Sequence, residues 1–177
     1  MKQLSTILFL FTVINITGQD LWIQRDSITG PTKGSCVAFT INGIGFIGLG
    51  RNLNGEKRSV HMYDKWQDDW DEVSQMGGPF GDGNERSSAV AFSIGSKAYM
   101  GTGKGSAAYL NDFWMYAPAT DTWTQVASFG GTPRRQAVGF SIDSIGYVGT
   151  GEDASGFTND FWRYDPNQNY WLEVSSL

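Results

Sequence analysis

The feature that most constrains this chain is an internal repeat of aromatic residues and glycines. A phenylalanine precedes a glycine by eleven residues, that glycine precedes a tyrosine by thirteen, and that tyrosine precedes a tryptophan by seven. The series runs three times without a gap, as Phe39-Gly50-Tyr63-Trp70, Phe92-Gly103-Tyr116-Trp123 and Phe140-Gly151-Tyr164-Trp171. Segments 92–123 and 140–171 are identical at 15 of 32 positions. A period of about fifty residues indicates stacked supersecondary units.

Each unit is predicted to contain four short strands, most clearly in the third unit. Residues 136–142 are small and apolar, as expected for an innermost strand, and residues 145–151 form a second strand whose glycines allow close approach of neighbouring sheets. Residues 159–165 alternate like a half-buried third strand, and residues 170–174 follow a turn as the outer strand. Because such a sheet cannot bury both faces alone, we expect the units to stack radially.

Glycine pairs and the Tyr-x6-Trp pairs that follow them carry a resemblance to a known family. The glycine pairs are Gly48/Gly50, Gly101/Gly103 and Gly149/Gly151. The chain resembles the Kelch-repeat β-propellers of the galactose oxidase/Kelch-like group, and the Asn-Asp-Phe-Trp-x-Tyr run at 111–116 and 159–164 looks like an exported bacterial subgroup. The resemblance implies an all-β propeller arc of three four-stranded antiparallel blades. The expected blades are 33–76, 86–128 and 134–176, preceded by one outer strand at 21–25.

Three blades do not complete a propeller, which needs about four to eight. Two interpretations stay open: the chain is a fragment of a longer propeller, which we favour, or two copies assemble into a six-bladed ring. In the second case the two surplus N-terminal strands would still need a position. Either way, two uncovered apolar faces predict self-association. We also expect Trp70, Trp123 and Trp171 to pack between blades, with Trp171 the least important because it lies at the open end.

The first 18 residues have the pattern of a secretory signal peptide. A lysine at position 2 precedes an apolar stretch at 4–14, and polar residues follow Gly18. The apolar stretch is shorter than the roughly 20 residues that a bilayer span needs, which disfavours a transmembrane anchor. Cleavage near Gly18 would leave the propeller segment 19–177. The expected location is secreted, periplasmic or at the cell surface, with no membrane span.

Composition excludes several functional classes. A formal net charge of −5 argues against a nucleic-acid partner, because phosphate binding requires a basic face. A single histidine and a single cysteine exclude multi-histidine and multi-cysteine metal centres, so we expect no metal, no cofactor and no copper oxidase activity. His61 stands where the other units have Trp114 and Trp162, and Cys36 is most simply a small core residue.

Three further motifs are better explained as turns or loops. The acidic cluster at 64–72 coincides with a hairpin turn in the other units. The segment 81–85 resembles half a calcium loop, but it lacks the helix-flanked twelve-residue pattern. The glycine-rich segment 101–105 lacks the spacing of a phosphate-binding loop. We expect the first to be a solvated turn and the second to be a long loop, and we expect no phosphate binding at the third.

Four cations are the candidate ligand-binding residues. Lys33, Arg86 and Arg134 each lie six residues before the repeated phenylalanine, and Arg135 follows directly. In a propeller these positions face one rim of the central channel, beside the loops between second and third strands. They could hold an acidic sugar. Alternatively, each cation pairs with a turn of its own blade, which is the interpretation with the greater weight.

The sequence indicates a fold more directly than an activity, because a propeller hosts many functions. We expect a non-catalytic, exported module that recognises a protein or a glycan through its loops. The alternative is a carbohydrate-active enzyme, such as a sugar epimerase or mutarotase, or part of one, similar to the Kelch-type sialic acid epimerases. That activity would require acid and base side chains converging at the channel mouth.

Overall fold

The computed structural model describes residues 22–28, 30–77 and 84–176. Over this part of the chain it contains β-strands and no helix. The strands are β1 (Val37–Ile41), β2 (Ile44–Gly48), β3 (Arg51–Asn52), β4 (Gly55–Glu56), β5 (Val60–Asp64), β6 (Asp69–Val73), β7 (Val90–Ile94), β8 (Lys97–Gly101), β9 (Phe113–Ala117), β10 (Thr122–Val126), β11 (Val138–Ile142), β12 (Ile145–Gly149), β13 (Glu152–Asp153), β14 (Gly156–Phe157), β15 (Asp160–Asp165) and β16 (Tyr170–Ser176). The predicted signal peptide and positions 81–83 of the candidate calcium loop lie outside the described residues.

Each sequence unit forms one antiparallel four-stranded sheet, so the all-β expectation is confirmed. Sheet 1 has the order β1-β2-β5-β6, sheet 2 has the order β7-β8-β9-β10, and sheet 3 has the order β11-β12-β15-β16. The short hairpins β3–β4 and β13–β14 lie in the loops between the second and third strands of sheets 1 and 3. The first strands β1, β7 and β11 lie side by side.

The aromatic repeat is explained by cross-strand pairs. The repeated phenylalanine stacks on an aromatic residue of the second strand, with Phe92 and Tyr99 centroids 5.5 Å apart and Phe140 and Tyr147 centroids 5.3 Å apart. The repeated tyrosine and tryptophan lie opposite each other on the third and fourth strands, as Tyr164 and Trp171 do at 4.9 Å. Such pairs stabilise a sheet beyond the apolar area that they bury.

Two apolar cores lie between the sheets. In the second core, Phe92 of sheet 2 lies over Gly146 of sheet 3, where an added Cβ would be 2.2 Å from the Phe92 ring. Trp171 of sheet 3 packs against Phe113 of sheet 2 with centroids 5.0 Å apart. A glycine at position 146 therefore lets the two sheets approach within ring contact.

A repeated clamp joins the outer strands of neighbouring sheets. Trp123 Nε1 donates to the Ser74 carbonyl oxygen at 2.6 Å, and Ser74 N donates to Asp121 Oδ1 at 3.0 Å. Tyr116 Oη donates to the same Asp121 carboxylate at 2.8 Å. In sheet 3, Trp171, Ala127, Asn169 and Tyr164 repeat these contacts. The clamp therefore anchors the ends of β6 and β10 to the following sheet.

A second tie runs along the inner ends of the sheets. Ser88 N donates to the Ser35 carbonyl oxygen at 2.9 Å, and Gln136 N donates to the Ser88 carbonyl oxygen at 2.8 Å. These three residues are equivalent in the repeat, and each has a positive φ of 54–56°. Positive φ is uncommon for residues other than glycine, so its recurrence at one repeat position shows that the three units share this backbone conformation where the inter-sheet hydrogen bonds form.

The predicted outer strand at 21–25 is not formed over the described residues 22–25. This segment has no sheet of its own to pair with. It occupies the clamp of sheet 1 instead: Trp70 Nε1 donates to the Asp26 carbonyl oxygen at 3.0 Å, and Asp26 N donates to Asp68 Oδ1 at 3.4 Å. Asp26 thus takes the position that Ser74 and Ala127 hold in the other two clamps.

Trp171 does not lie at an open end, which was the reason for expecting its loss to matter least. Trp171 is 4% exposed, whereas Trp70 and Trp123 are only partly buried. The reason is the direction in which the side chain points. Trp171 faces back toward sheet 2, where Phe113 and Phe129 cover it. The face of sheet 3 that stays uncovered is the opposite one.

Candidate functional site

Two of the four candidate cations form buried ion pairs. Arg86 is 0% exposed and Arg134 is 1% exposed. Arg86 Nη1 and Nη2 donate to the two Asp112 oxygens at 2.7 Å each, and Arg134 Nη1 and Nη2 donate to those of Asp160 at 2.6 and 2.9 Å. These bidentate pairs lie within one sheet, so pairing within the unit describes the structure. Neither guanidinium is available to an acidic ligand.

A tryptophan completes each of these ion pairs. Trp114 Nε1 donates to Asp112 at 2.6 Å, and Trp162 Nε1 donates to Asp160 at 2.7 Å. Burial alone would raise the pKa of Asp112, but the hydrogen bonds and charge of Arg86 outweigh it and hold the pKa below its usual value. The carboxylate is therefore ionised at neutral pH. We call each set an Arg-Asp-Trp triad.

In sheet 1 the three positions of the triad hold Lys33, Ser59 and His61. Lys33 Nζ donates to Ser59 Oγ at 2.9 Å and lies 3.2 Å from His61 Nε2. An ammonium group can only donate, so His61 Nε2 is the acceptor and Nδ1 carries the proton. His61 is buried, and its Nδ1 has no hydrogen-bond partner. Burial, and then the Lys33 charge, lower the pKa of His61, which keeps it neutral.

Arg135 is the candidate cation that lies near open solvent. Its Nη2 donates to Glu152 Oε2 at 2.9 Å, and its guanidinium carbon lies 5.5 Å from the centroid of the Tyr109 ring. Tyr109 Oη donates to Glu152 Oε1 at 3.2 Å. Because Tyr109 belongs to sheet 2 and Glu152 to sheet 3, this group fixes the loops of the two sheets relative to each other.

These loops border an open cleft of about 570 Å³ between sheets 2 and 3. Its lining combines apolar and hydrogen-bonding groups: Lys104, Ala107, Ala108, Tyr109, Thr132, Pro133, Asp153, Ala154 and Ser155. The sequence indicated this end of the sheets through the loops 104–111 and 152–159. It did not indicate Tyr109 or Thr132, because both lie where the three units differ in sequence. The only sequence signal for these two residues was that the corresponding loops of the three units differ in residue type.

Asp153 is the carboxylate of the described cleft lining. Thr132 Oγ1 donates to Asp153 Oδ2 at 2.8 Å, and Ser155 N donates to Oδ1 at 2.7 Å. The Thr132 hydrogen bond and then the Ser155 amide lower the pKa of Asp153. The cleft lining thus holds an ionised acceptor at Asp153, and it also includes Lys104, whose ammonium group can donate.

The remaining candidates do not form a site. Cys36 is a free thiol whose pKa is raised by burial, and its Sγ contacts the Leu49 carbonyl oxygen at 3.6 Å. Asp64 accepts from Trp66 N and Gln67 N, as expected for the turn that the sequence predicted. Among the described residues, no group of three or more His, Cys, Asp or Glu side chains is placed to hold a metal ion.

Comparison with known proteins identifies the fold alone. No protein-family model matches the chain, and no curated protein matches it. Many solved chains resemble it in structure. One of them, YjhT, matches with a TM-score of 0.72 at 15% sequence identity. The match covers 89% of this chain and 56% of the YjhT chain, so this chain spans little more than half the length of that neighbour. Within the residues described, no helix is long and apolar enough to cross a membrane.

Proposed function

We propose that the three sheets are blades of an exported, Kelch-type β-propeller segment whose function is to bind a glycan without chemical conversion. The observation that carries the proposal is the cleft between the loops of sheets 2 and 3. It is open, it measures about 570 Å³, and it lies on a framework of ion-paired strands. Binding sites of this size, on loops held by a rigid scaffold, are typical of small-ligand recognition.

The chemistry of the lining fits a saccharide. Tyr109 and Pro133 offer apolar surface for the C–H face of a sugar ring, while Asp153 accepts and Lys104 donates hydrogen bonds to hydroxyl groups. One cation and one carboxylate leave the lining close to neutral in charge. This favours a neutral, hydroxyl-rich ligand over the acidic sugar that a ring of arginines would have selected.

The same lining supports a binding role over an enzymatic one. Epimerisation needs proton transfer at a sugar carbon, mutarotation needs it at the ring and anomeric oxygens, and both require a general acid and a general base at the reacting centre. The described lining holds one carboxylate, Asp153, whose hydrogen bonds stabilise its ionised form, and it holds no histidine. The other titratable side chains of the described lining are Lys104 and Tyr109, and Tyr109 Oη already donates to Glu152, so we favour binding over conversion.

A pair of matched substitutions tests the proposal. Ala108→Trp would fill the cleft from an exposed position of its lining, and Ala119→Trp adds the same side chain to an exposed turn at the opposite end of sheet 2. We expect glycan-array binding by the unmodified chain, a loss of at least about tenfold in affinity for Ala108→Trp, and no change for Ala119→Trp.

Three results would contradict the proposal. They are an array with no bound glycan, equal effects of the two tryptophans, and conversion of a bound sugar detected by NMR of the mixture. A protein array run beside the glycan array identifies the case in which the cleft takes a peptide segment instead.

A further inference from the structure

Sheet 3 exposes an apolar face. The equivalent faces of sheets 1 and 2 are buried against the following sheet. Val90 and Phe92 of sheet 2 are each 4% exposed beneath sheet 3. Their equivalents in sheet 3, Val138 and Phe140, are 50% and 44% exposed. The same face carries the exposed side chains of Ile142, Leu172 and Val174. An apolar face of this kind is typical of an interface.

Sheet 1 presents the complementary face. Gly45 is equivalent to Gly146, which lies under the Phe92 ring, yet an added Cβ at Gly45 would meet nothing within 4 Å. Ala38 is exposed and Ile47 is half-buried, whereas Val148, the residue equivalent to Ile47 in sheet 3, is completely buried. Sheet 1 therefore has a vacant place for an aromatic ring.

The two uncovered faces match each other in the same way as the faces of sheets 2 and 3 that are in contact within the chain. Phe140 has the place of Phe92, and Gly45 has the place of Gly146, so sheet 3 of one chain fits against sheet 1 of another as sheet 2 fits against sheet 3. A contact between two different faces joins copies head to tail. The existing interface supplies both the spacing and the register of the new one.

Charge on the two faces is also complementary. Met115 of sheet 2 lines a crevice against Tyr164, Asn167 and Asn169 of sheet 3. Arg163 is the equivalent of Met115 in sheet 3 and is exposed. The equivalent of Asn169 in sheet 1 is Asp68, so a docked second copy would place Arg163 near the Asp68 carboxylate.

The N-terminal segment occupies part of this face within one chain. Arg25 Nη1 lies 3.9 Å from Asp68 Oδ2, and Asp26 fills the clamp at Trp70. Both contacts are exposed and weak. In the docked pair, Arg163 takes the place of Arg25, and the backbone of Ser175 takes the place of Asp26, as Ser74 and Ala127 do in the other clamps.

We propose that two copies of this chain associate head to tail into a closed ring of six sheets, with sheet 3 of each copy seated on sheet 1 of the other and residues 22–28 displaced. This inference rests on the proposed propeller arrangement. The single chain spans 56% of the length of the structurally similar YjhT chain, so two arcs have about the size of that larger fold. A heterologous contact that closes gives a ring, and one that does not close gives a filament.

Charge reversal tests the proposed interface. The purified chain, Arg163→Glu and Asp68→Lys are each measured by light scattering during size-exclusion chromatography. We expect a mass of two chains for the unmodified protein and of one chain for each variant, because each homotypic interface then pairs like charges. An equimolar mixture of the two variants should recover the mass of two chains. One interface of the mixed pair then sets the introduced glutamate against the introduced lysine, and the other keeps Arg163 against Asp68.

A second variant, Gly45→Leu, adds a side chain at the vacant place on sheet 1, where its Cβ meets nothing within 4 Å, and should also give single chains. Circular dichroism confirms that each variant is folded. A single-chain mass for the unmodified protein at all concentrations overturns the proposal, as do variants that retain the two-chain mass and masses that grow without limit. The proposed glycan site is a cleft within one chain. The glycan-array result therefore tests that site independently of the mass measured by light scattering.

Discussion

At the scale of single residues, the triads show how one repeat position sets the chemistry of two others. Where position 1 of the triad is arginine, position 2 is aspartate and position 3 is tryptophan, as in Arg134, Asp160 and Trp162. Where it is Lys33, no carboxylate follows, and His61 keeps a buried N–H without a partner. An unsatisfied buried donor costs about 1–3 kcal/mol, so the triad of sheet 1 is the weakest of the three.

The first prediction restores the triad in sheet 1. The triple variant Lys33→Arg, Ser59→Asp and His61→Trp should raise the free energy of unfolding by roughly 1–2 kcal/mol, because it removes the unpaired N–H and adds a bidentate pair. His61→Trp alone should give no gain, since its indole N–H would lack an acceptor. Urea unfolding of both variants measures this, and a triple variant less stable than the unmodified chain would show that sheet 1 cannot accommodate the larger side chains.

The second prediction concerns pH. Burial and then Lys33 lower the pKa of His61 from its ordinary 6.5, and Glu72 opposes them. The unfolded chain therefore takes up a proton at a higher pH than the folded chain does, so stability is full above about pH 6.5 and falls as the pH drops below it. Urea midpoints from pH 8 to pH 5 should fall for the unmodified chain. In His61→Phe this decline should be absent above pH 5.

The register of the candidate cations could be predicted from sequence, but the direction of their side chains could not. The six-residue spacing correctly placed Lys33, Arg86 and Arg134 at equivalent positions. Whether a guanidinium points to the rim or inward depends on the acceptor 26 residues later, Asp112 or Asp160. A signal for this did exist, since Ser59 replaces the aspartate in the same unit in which lysine replaces arginine.

At the scale of elements, the strands and their pairing followed from the sequence more closely than the packing of their faces did. The alternation of apolar residues and the turn residues between strands predicted the three sheets. In an antiparallel sheet, side chains alternate between two faces, so this pattern also determines which residues share a face. The prediction of an N-terminal strand at 21–25 was wrong because a strand needs a partner strand. The regular spacing of the tryptophans does not show whether one is present. The side-chain direction of Trp171 was not predicted correctly because a repeat shows only which positions are equivalent. It does not show whether a side chain faces the preceding or the following sheet.

The third prediction compares two clamp tryptophans. Trp171→Ala should cost roughly 3–5 kcal/mol, as expected for a buried aromatic residue packed on Phe113 and Phe129. Trp70→Ala should cost clearly less, because the segment 22–28 covers it only partly. Thermal melts of the two variants at low protein concentration decide the order. Equal losses would mean that the N-terminal segment covers sheet 1 as fully as sheet 2 covers Trp171.

At the scale of the whole molecule, the three sheets have two uncovered outer faces, which differ in how much apolar surface they expose. The clamps and the inner hydrogen bonds hold the sheets together inside one chain, while Phe140 and Gly45 mark the two uncovered faces. Under the proposed association of two copies, stability should depend on the protein concentration, because binding a second copy selects the folded state.

The fourth prediction follows from this dependence. The melting temperature of the unmodified chain should rise with protein concentration, by several degrees over a hundredfold range, since mass action stabilises the associated folded form. Arg163→Glu should melt at one temperature throughout. Differential scanning calorimetry over that range provides the measurement, and a melting temperature of the unmodified chain that is independent of concentration would contradict it.

The inner tie has a consequence for how such a chain is made. Ser88 and Gln136 each donate to a carbonyl of the preceding sheet, and the clamp tryptophans do the same. The acceptors of each sheet are therefore already in place when the following sheet leaves the ribosome. Since synthesis proceeds from the N-terminus, each new sheet meets a template that already presents these acceptors. The preceding sheet in turn donates to the new one, from Ser74 N to Asp121 Oδ1 and from Gly50 N to the Arg86 carbonyl oxygen, so each sheet is completed only by its successor.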